Sequence, residues 1–171
     1  MTRTELATAI ARTARIEGSF RLRSGATSTE YFDKYRFESD PHLLREIAAQ
    51  LAPLVPPSIQ LLAGLELGGV PIAIALSLDS GIPCVFVRKQ TKDYGTCQLA
   101  EGADVNGRRL LIVEDVVTSG GQVVSSCEDL RRLGAIVDAA VCVIDRNAGG
   151  RDLLHASGID LRALFMKEDL E

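Results

Sequence analysis

Two adjacent acids, Glu114 and Asp115, are followed after two valines by Thr118-Ser119-Gly120-Gly121. Each half of that run suggests a chemistry. A turn of small hydroxyl residues and glycines can hold an anion, because its backbone N–H groups point inward unobstructed and a following helix adds the positive end of its dipole. Two carboxylates can accept hydrogen bonds from a pair of vicinal hydroxyls. Acids and anion cradle together imply a sugar phosphate. Either feature alone is common in an ordinary strand-loop-helix connection; their joint occurrence at this spacing is what points to a ligand. A Walker A loop is excluded, since no Lys follows the glycines.

Such a site needs a strand before it and a helix after it. Leu110 to Val113 is an apolar run that reads as a buried strand, and a helix is expected from Gly121 to Leu133 with Gly134 as its C-cap. Ala135 to Ile144 then completes a strand-helix-strand unit. Upstream, Ile59 to Leu65 and Cys84 to Val87 read as short strands separated by a helix from Val70 to Leu78 that stops near Gly81. Thr4 to Ile16 repeats Leu6, Ile10 and Ala14 at about one helical turn. Phe20 to Leu22 looks extended, and the alternating Tyr31-Phe32-Asp33-Lys34-Tyr35 predicts a second short strand. Asp40-Pro41 opens a helix with Leu44, Ile47, Ala48 and Leu51 on one face. A short helix near Leu153 and a strand near Leu161 to Leu164 end the chain.

Strands alternating with helices predict an α/β fold, a central, mostly parallel twisted sheet flanked by helices, with ligands beyond the carboxyl ends of the strands. The turns after Leu65, Val87 and Val113 fall at that edge and should converge. The segment from Arg88 to Gly107 carries little apolar pattern. It begins Arg88-Lys89-Gln90-Thr91-Lys92-Asp93-Tyr94-Gly95, a run that charge alone would assign to a solvated loop. Its origin at the same sheet edge, and the hinge glycines Gly95 and Gly102, favour a functional loop instead.

The 171 residues suit one domain, able to bury about 70% of its unfolded surface. The chain has 46% apolar content and lacks the long apolar run of a membrane span. Its first residues are too weakly apolar for a signal peptide. The four cysteines, Cys84, Cys97, Cys127 and Cys142, show no CxxC spacing, which favours a reducing, cytoplasmic setting. A net charge of −4 argues against a general nucleic-acid surface.

The run from Leu110 to Gly121 closely resembles the phosphoribosyl diphosphate (PRPP) motif of the type I phosphoribosyltransferases. Within that family the chain is similar to the orotate phosphoribosyltransferases. Their mobile loop pattern is matched at Arg88, Lys89, Lys92, Tyr94 and Gly95, their N-terminal substrate segment by Phe20 to Gly25 and Tyr31 to Asp33, and their usual ending by Leu161 to Phe165. The resemblance covers nearly the whole chain. It implies one type I phosphoribosyltransferase-like domain over 1–171, with a small N-terminal hood, about 1–38, packed with the C-terminal end, and a mobile catalytic loop over about 88–107.

The implied reaction joins orotate to PRPP, giving orotidine monophosphate and diphosphate, with Mg²⁺ carried by PRPP and no metal-ligand cluster on the protein. His42 and His155 then need no metal role. Glu114, Asp115, Lys92 and Tyr94 are the expected catalytic residues. PRPP binding is expected of Arg88, Lys89, Lys92, Glu114, Asp115, Val116, Val117, Thr118, Ser119, Gly120, Gly121 and Gln122, with Gly68 and Gly69 from the diphosphate loop. Orotate binding is expected of Arg23, Tyr31, Phe32, Thr118 and Arg146. Arg146, in Ile144-Asp145-Arg146, can grip a carboxylate with two parallel hydrogen bonds. The resemblance also implies a homodimer whose sites are shared across the interface.

Two positions depart from the family pattern. Gly68 stands where many members carry Lys, and Tyr94 where others have His. Competing readings are a phosphoribosyltransferase for another base and a regulator that binds PRPP without turning it over. Arg146 and the Arg88 to Gly95 loop argue for orotate, and the retained loop cations argue against a regulator.

Overall fold

The computed structural model describes residues 1–21, 25–90 and 98–171. Its N-terminal part is helix α1 (Arg3–Ala14), a hairpin of β1 (Arg15–Arg21) and β2 (Thr27–Phe32), and the single turn α2 (Tyr35–Glu38). Thr2 caps α1 with a reciprocal capping box to Glu5. The expected strand over Tyr31 to Tyr35 is displaced: β2 stops at Phe32, and Asp33 accepts from the Tyr35 N–H to start α2. A side chain that bonds its own backbone two residues on is turn chemistry, and here it outweighs the aromatic alternation.

Helix α3 (Pro41–Leu51) follows, with the Asp40 side chain accepting from the His42 and Leu43 N–H groups. The rest alternates: β3 (Leu61–Leu65), α4 (Gly69–Ser80), β4 (Cys84–Val87), β5 (Ala100–Glu101), β6 (Arg109–Val117), α5 (Gly121–Arg132), β7 (Ile136–Asp145), α6 (Gly150–Ala156) and β8 (Asp160–Met166). The sheet order is β5-β4-β3-β6-β7-β8, parallel except for β5, a two-residue antiparallel strand that the 88–107 segment contributes.

One core lies on each face of the sheet. Leu111 and Val113 of β6 pack with α1, α3 and α4, while Leu110 and Ile112 pack with α5 and α6. Both faces are covered, so the central strands read as continuous apolar runs. From β3 the chain proceeds outward to β4, and from β6 it proceeds the other way to β7 and β8. The crevice between the carboxyl ends of β3 and β6 is therefore the switch point, where such sheets bind ligands.

Strand β6 is longer than its apolar run. It continues through Val117, pairing with β7 as far as Asp145, so Glu114 and Asp115 lie within the strand and the turn begins at Thr118. The β-branched pair Val116-Val117 sustains the extended backbone past the acids. No helix among the described residues is long and apolar enough to cross a membrane.

Candidate active site

Alternation along β6 puts Asp115 on the face of Leu111 and Val113, toward α4. Its side chain is fully buried and ion-pairs through Oδ2 with the ammonium of Lys34, while Oδ1 accepts from the Val116 N–H. Beside it the buried Glu38 carboxyl comes from α2. Lys34 and Glu38 are one turn apart, with the Glu38 N–H donating to the Lys34 carbonyl at 3.2 Å, so both reach the same strand. Glu114 accepts from the Asp115 N–H at 3.0 Å.

Three carboxyls around one ammonium cannot all be ionised. Burial pushes Glu38 up to about 9, reinforced by its hydrogen bond to Asp115 and by that residue's charge. Burial, then the Asp115 charge, also holds Glu114 well above the usual carboxylate range. For Asp115 burial acts upward but is outweighed by hydrogen bonds from Glu38, Glu114 and Lys34 and by the Lys34 charge, leaving it below its ordinary value. Asp115 is the anion of the group at neutral pH. Glu38 is its proton-bearing neighbour, and Glu114 is shifted in the same direction.

The turn between β3 and α4 closes the other side. A Cβ on Gly68 would lie 1.6 Å from Asp115 Oδ2 and 3.0 Å from Glu38 Oε1. No side chain, and so no lysine stem, fits there in this arrangement. The expected contribution of Gly68 and Gly69 is accordingly backbone.

The anion turn has the expected form. Thr118, Ser119, Gly121 and Gln122 are exposed at the start of α5, whereas Val117 packs inward and Val116 is partly covered. Gly120 has φ 77°, and a Cβ there would meet Leu154 at 2.5 Å, so the turn needs glycine for conformation and for space. The Gln122 amide donates to Ser126 at 3.3 Å.

Beside the turn is a cavity of about 690 Å³ lined by Tyr31, Phe32, Lys34, Val116, Thr118, Ile144 and Arg146, among others. The expected base-binding residues Tyr31, Phe32, Thr118 and Arg146 are thus brought together. Asp145 is not the partner of Arg146: it is buried and pairs with Arg151 at 3.0 Å, which leaves the Arg146 guanidinium on the cavity. Arg88 lies 3.5 Å from Glu101 across the β4–β5 pair, and Lys89 is exposed beyond it. Arg23, Lys92 and Tyr94 lie outside the described residues.

Among the described residues no group of three or more His, Cys, Asp or Glu side chains is arranged to hold a metal. Lys34 and Glu38 are the two site residues that sequence reasoning missed. Their four-residue spacing was a usable signal, masked by reading Tyr31 to Tyr35 as a strand.

Residues 39–157 match the phosphoribosyl transferase domain family. Orotate phosphoribosyltransferase of Nocardioides sp. is 49% identical over 166 residues, covering 97% of this chain and 93% of that protein. Orotate phosphoribosyltransferase of Methanocella arvoryzae is 42% identical, covering 98% of this chain and 96% of that one. Among solved structures, Mycobacterium tuberculosis orotate phosphoribosyltransferase in complex with PRPP superposes with a TM-score of 0.85 at 28% identity, covering 98% of both chains. Its complex with Fe(III) dicitrate gives 0.89 at 30% identity over 98% of both. With an acid pair on β6, a glycine-rich turn at the start of α5 and a cavity beside that turn, the chain belongs to the phosphoribosyltransferase family and, within it, to the orotate phosphoribosyltransferases.

Proposed function

We propose that the chain transfers the phosphoribosyl group of PRPP to orotate, giving orotidine 5′-monophosphate and diphosphate in de novo pyrimidine biosynthesis, through the residues assembled at the β3–β6 crevice. The observation that carries the residue-level reading is the shared cavity. Arg146, Tyr31 and Phe32 line it together with Thr118 of the anion turn, so a base in the cavity adjoins a ribose phosphate on the turn.

Departure of diphosphate puts positive charge on the ribose ring and negative charge on the leaving group, so fixed charges of both signs are needed. Asp115, ionised and buried, supplies the negative charge, and with Glu114 it accepts hydrogen bonds from the ribose hydroxyls. The N–H groups at Ser119 to Gln122 and the Thr118 and Ser119 hydroxyls take the 5′-phosphate. Arg146 takes the orotate carboxylate while Tyr31 and Phe32 flank the ring. We assign Arg88, Lys89 and Lys92 to the diphosphate as its cations, and Tyr94 to the same group as a hydroxyl donor.

Mg²⁺ fits this donor set as a guest of the substrate: a hard ion suits diphosphate and hydroxyl oxygens, and the Asp115 carboxylate is already paired with Lys34. Bound there, it would offset charge on the leaving group. The same reading makes the chain a homodimer with the 88–107 loop covering the partner's site, and places it in the cytoplasm. Cys84, Cys127 and Cys142 are free thiols, and burial pushes Cys127 up to about 12, which suits a reducing compartment.

Incubation with PRPP and Mg²⁺ and, in parallel, orotate, uracil, adenine or hypoxanthine tests the reaction, following loss of each base. Consumption of orotate alone is expected. Preferential consumption of another base would overturn the assignment.

A further inference from the structure

The cation on Asp115 comes from a segment that none of the motifs above includes. Lys34 precedes α2, and its side chain crosses to β6 to reach a carboxylate that is only 1% exposed. Its own side chain is 34% exposed and lines the base cavity, so the ammonium stands at the junction of the two substrate sites. Asp33 fixes its backbone from both sides, donating its N–H to the Ala14 carbonyl at 2.8 Å and accepting from the Tyr35 N–H. The ammonium also lies 5.3 Å from the Tyr35 ring centre.

The groups facing Asp115 are few. Lys34 and Glu38 approach from the α2 side and Glu114 adjoins on β6, while the turn before α4 presents the bare backbone of Gly68. Lys34 is the one cation among the described residues that acts on all three carboxyls. Oδ2 of Asp115 and Oε1 of Glu38 both face the Gly68 backbone. Among the described residues, Lys34 is the cation that contacts Oδ2.

We propose that Lys34 is a positioning residue for the transfer reaction: its ammonium, carried on the hood, sets the Asp115 carboxylate in place for the ribose and stands in for a cation that the Gly68 turn cannot supply. This rests on the phosphoribosyl-transfer reading above. Lys34 neutralises Asp115. When the ribose hydroxyls take up the carboxylate, the ammonium stays beside them, at the edge of the cavity that holds the base. Substrate is thereby coupled to the position of the hood.

The test compares wild type with Lys34→Met, Lys34→Arg and the double variant Lys34→Met/Glu38→Gln. Wild-type turnover of PRPP with orotate checks the underlying reading, and its failure would sink that reading and not this one. Given turnover, Lys34→Met should raise the KM for PRPP by about tenfold, with a smaller change in the KM for orotate. Without the ammonium, Asp115 ionises at higher pH, so the acid limb of kcat/KM for PRPP should move up by about one pH unit. The defect is then larger at pH 6 than at pH 8, whereas a loss of folding would depress activity at every pH. Lys34→Arg should recover part of the affinity. Glu38 holds its proton at neutral pH with or without the ammonium, and Gln keeps a donor to Asp115, so the double variant should match Lys34→Met in PRPP affinity. An unchanged KM for PRPP with an unmoved acid limb in Lys34→Met would overturn the proposal, as would recovery of wild-type PRPP affinity in the double variant.

Discussion

The backbone N–H of Arg146 donates to the carbonyl of Val117 at 2.9 Å, tying the end of β7 to the last residue of β6. This bond sets the spacing between the base cavity and the anion turn, because Thr118 begins one residue after the acceptor. The guanidinium is free of the neighbouring Asp145, which Arg151 occupies. Removing the Arg146 side chain leaves that backbone link intact. Arg146→Ala should therefore raise the KM for orotate by about ten- to a hundredfold, the loss of a charged bidentate pair, with PRPP affinity within about twofold. Steady-state kinetics with each substrate varied in turn checks this. Lost PRPP affinity at unchanged orotate KM would place Arg146 on the phosphate side.

The carboxyl cluster makes stability depend on pH in a definite direction. Glu38 rises from an ordinary value of 4.5 to about 9 in the folded protein. Between those values the folded chain holds a proton that the unfolded chain has released, so this group's contribution to stability falls as pH rises. Gln mimics the protonated carboxyl and removes the dependence. Glu38→Gln should raise Tm by a few degrees, about 3 °C, at pH 8 and change it little at pH 4.5. Thermal unfolding at both pH values decides it; an equal shift at both would mean Glu38 is not holding a proton.

Asp115 and Glu114 should differ for the same reason. Asp115 is held below its ordinary value and stays ionised, while burial and the Asp115 charge hold Glu114 well above the usual carboxylate range. Both substitutions should lower kcat more than they weaken PRPP binding, since the carboxylates matter most when the ring becomes cationic. Asp115→Asn removes the fixed negative charge and should cost about a hundredfold in kcat; Glu114→Gln should cost less, about tenfold. Calorimetric PRPP titrations beside kcat separate the two effects. If both variants bind PRPP poorly but turn over normally, the acids only position substrate.

Much of this site was readable from local chemistry. Asp40-Pro41 predicted the start of α3 because a side-chain cap and a proline at the first helical position are local signals. Thr118 to Gly121 marked the turn into α5 because glycine, hydroxyls and a helix start coincide there. Three things were hidden, and each has a non-local cause. The acids interrupt the apolar pattern of β6, so its true end at Val117 shows only through pairing with β7. Asp145 and Arg146 are adjacent in sequence, but strand alternation sends them apart, and Arg151 from α6 claims the acid. Lys34 and Glu38 belong to a single helical turn too short for any periodicity to register, and their partner Asp115 is on the other side of the fold.

The two glycines before α4 give a contrast between chemistry and packing. A Cβ on Gly68 meets the end of the Asp115 side chain, whereas a Cβ on Gly69 would lie 2.2 Å from the Val113 carbonyl oxygen, which is sheet backbone. A carboxylate can swing away but a strand cannot. Gly68→Ala should therefore cost activity, about tenfold or more in kcat/KM for PRPP, with a small change in Tm. Gly69→Ala should cost stability, about 2 kcal/mol. Denaturation and kinetics on both variants test the split, and the reverse pattern would refute the placement of Gly68 against Asp115.

The proposed two-fold dimer has a consequence for mixtures. If the part of the 88–107 loop between β4 and β5 covers the partner's site, Lys92 works in trans to Glu114 and Asp115; residues 88 to 99, which start and end at the β4–β5 edge, are enough chain to reach across an adjacent interface. Lys92→Ala and Asp115→Asn should each be nearly inactive as homodimers. In a refolded equal mixture, a heterodimer contains one site with both defects and one with neither. Random pairing makes half the dimers mixed, each with one working site of two, so about a quarter of wild-type activity should return. Subunit exchange can be confirmed independently with a tag on one variant. If exchange occurs and activity does not return, Lys92 serves the site of its own chain, since a cis arrangement leaves every site in every dimer with one defect.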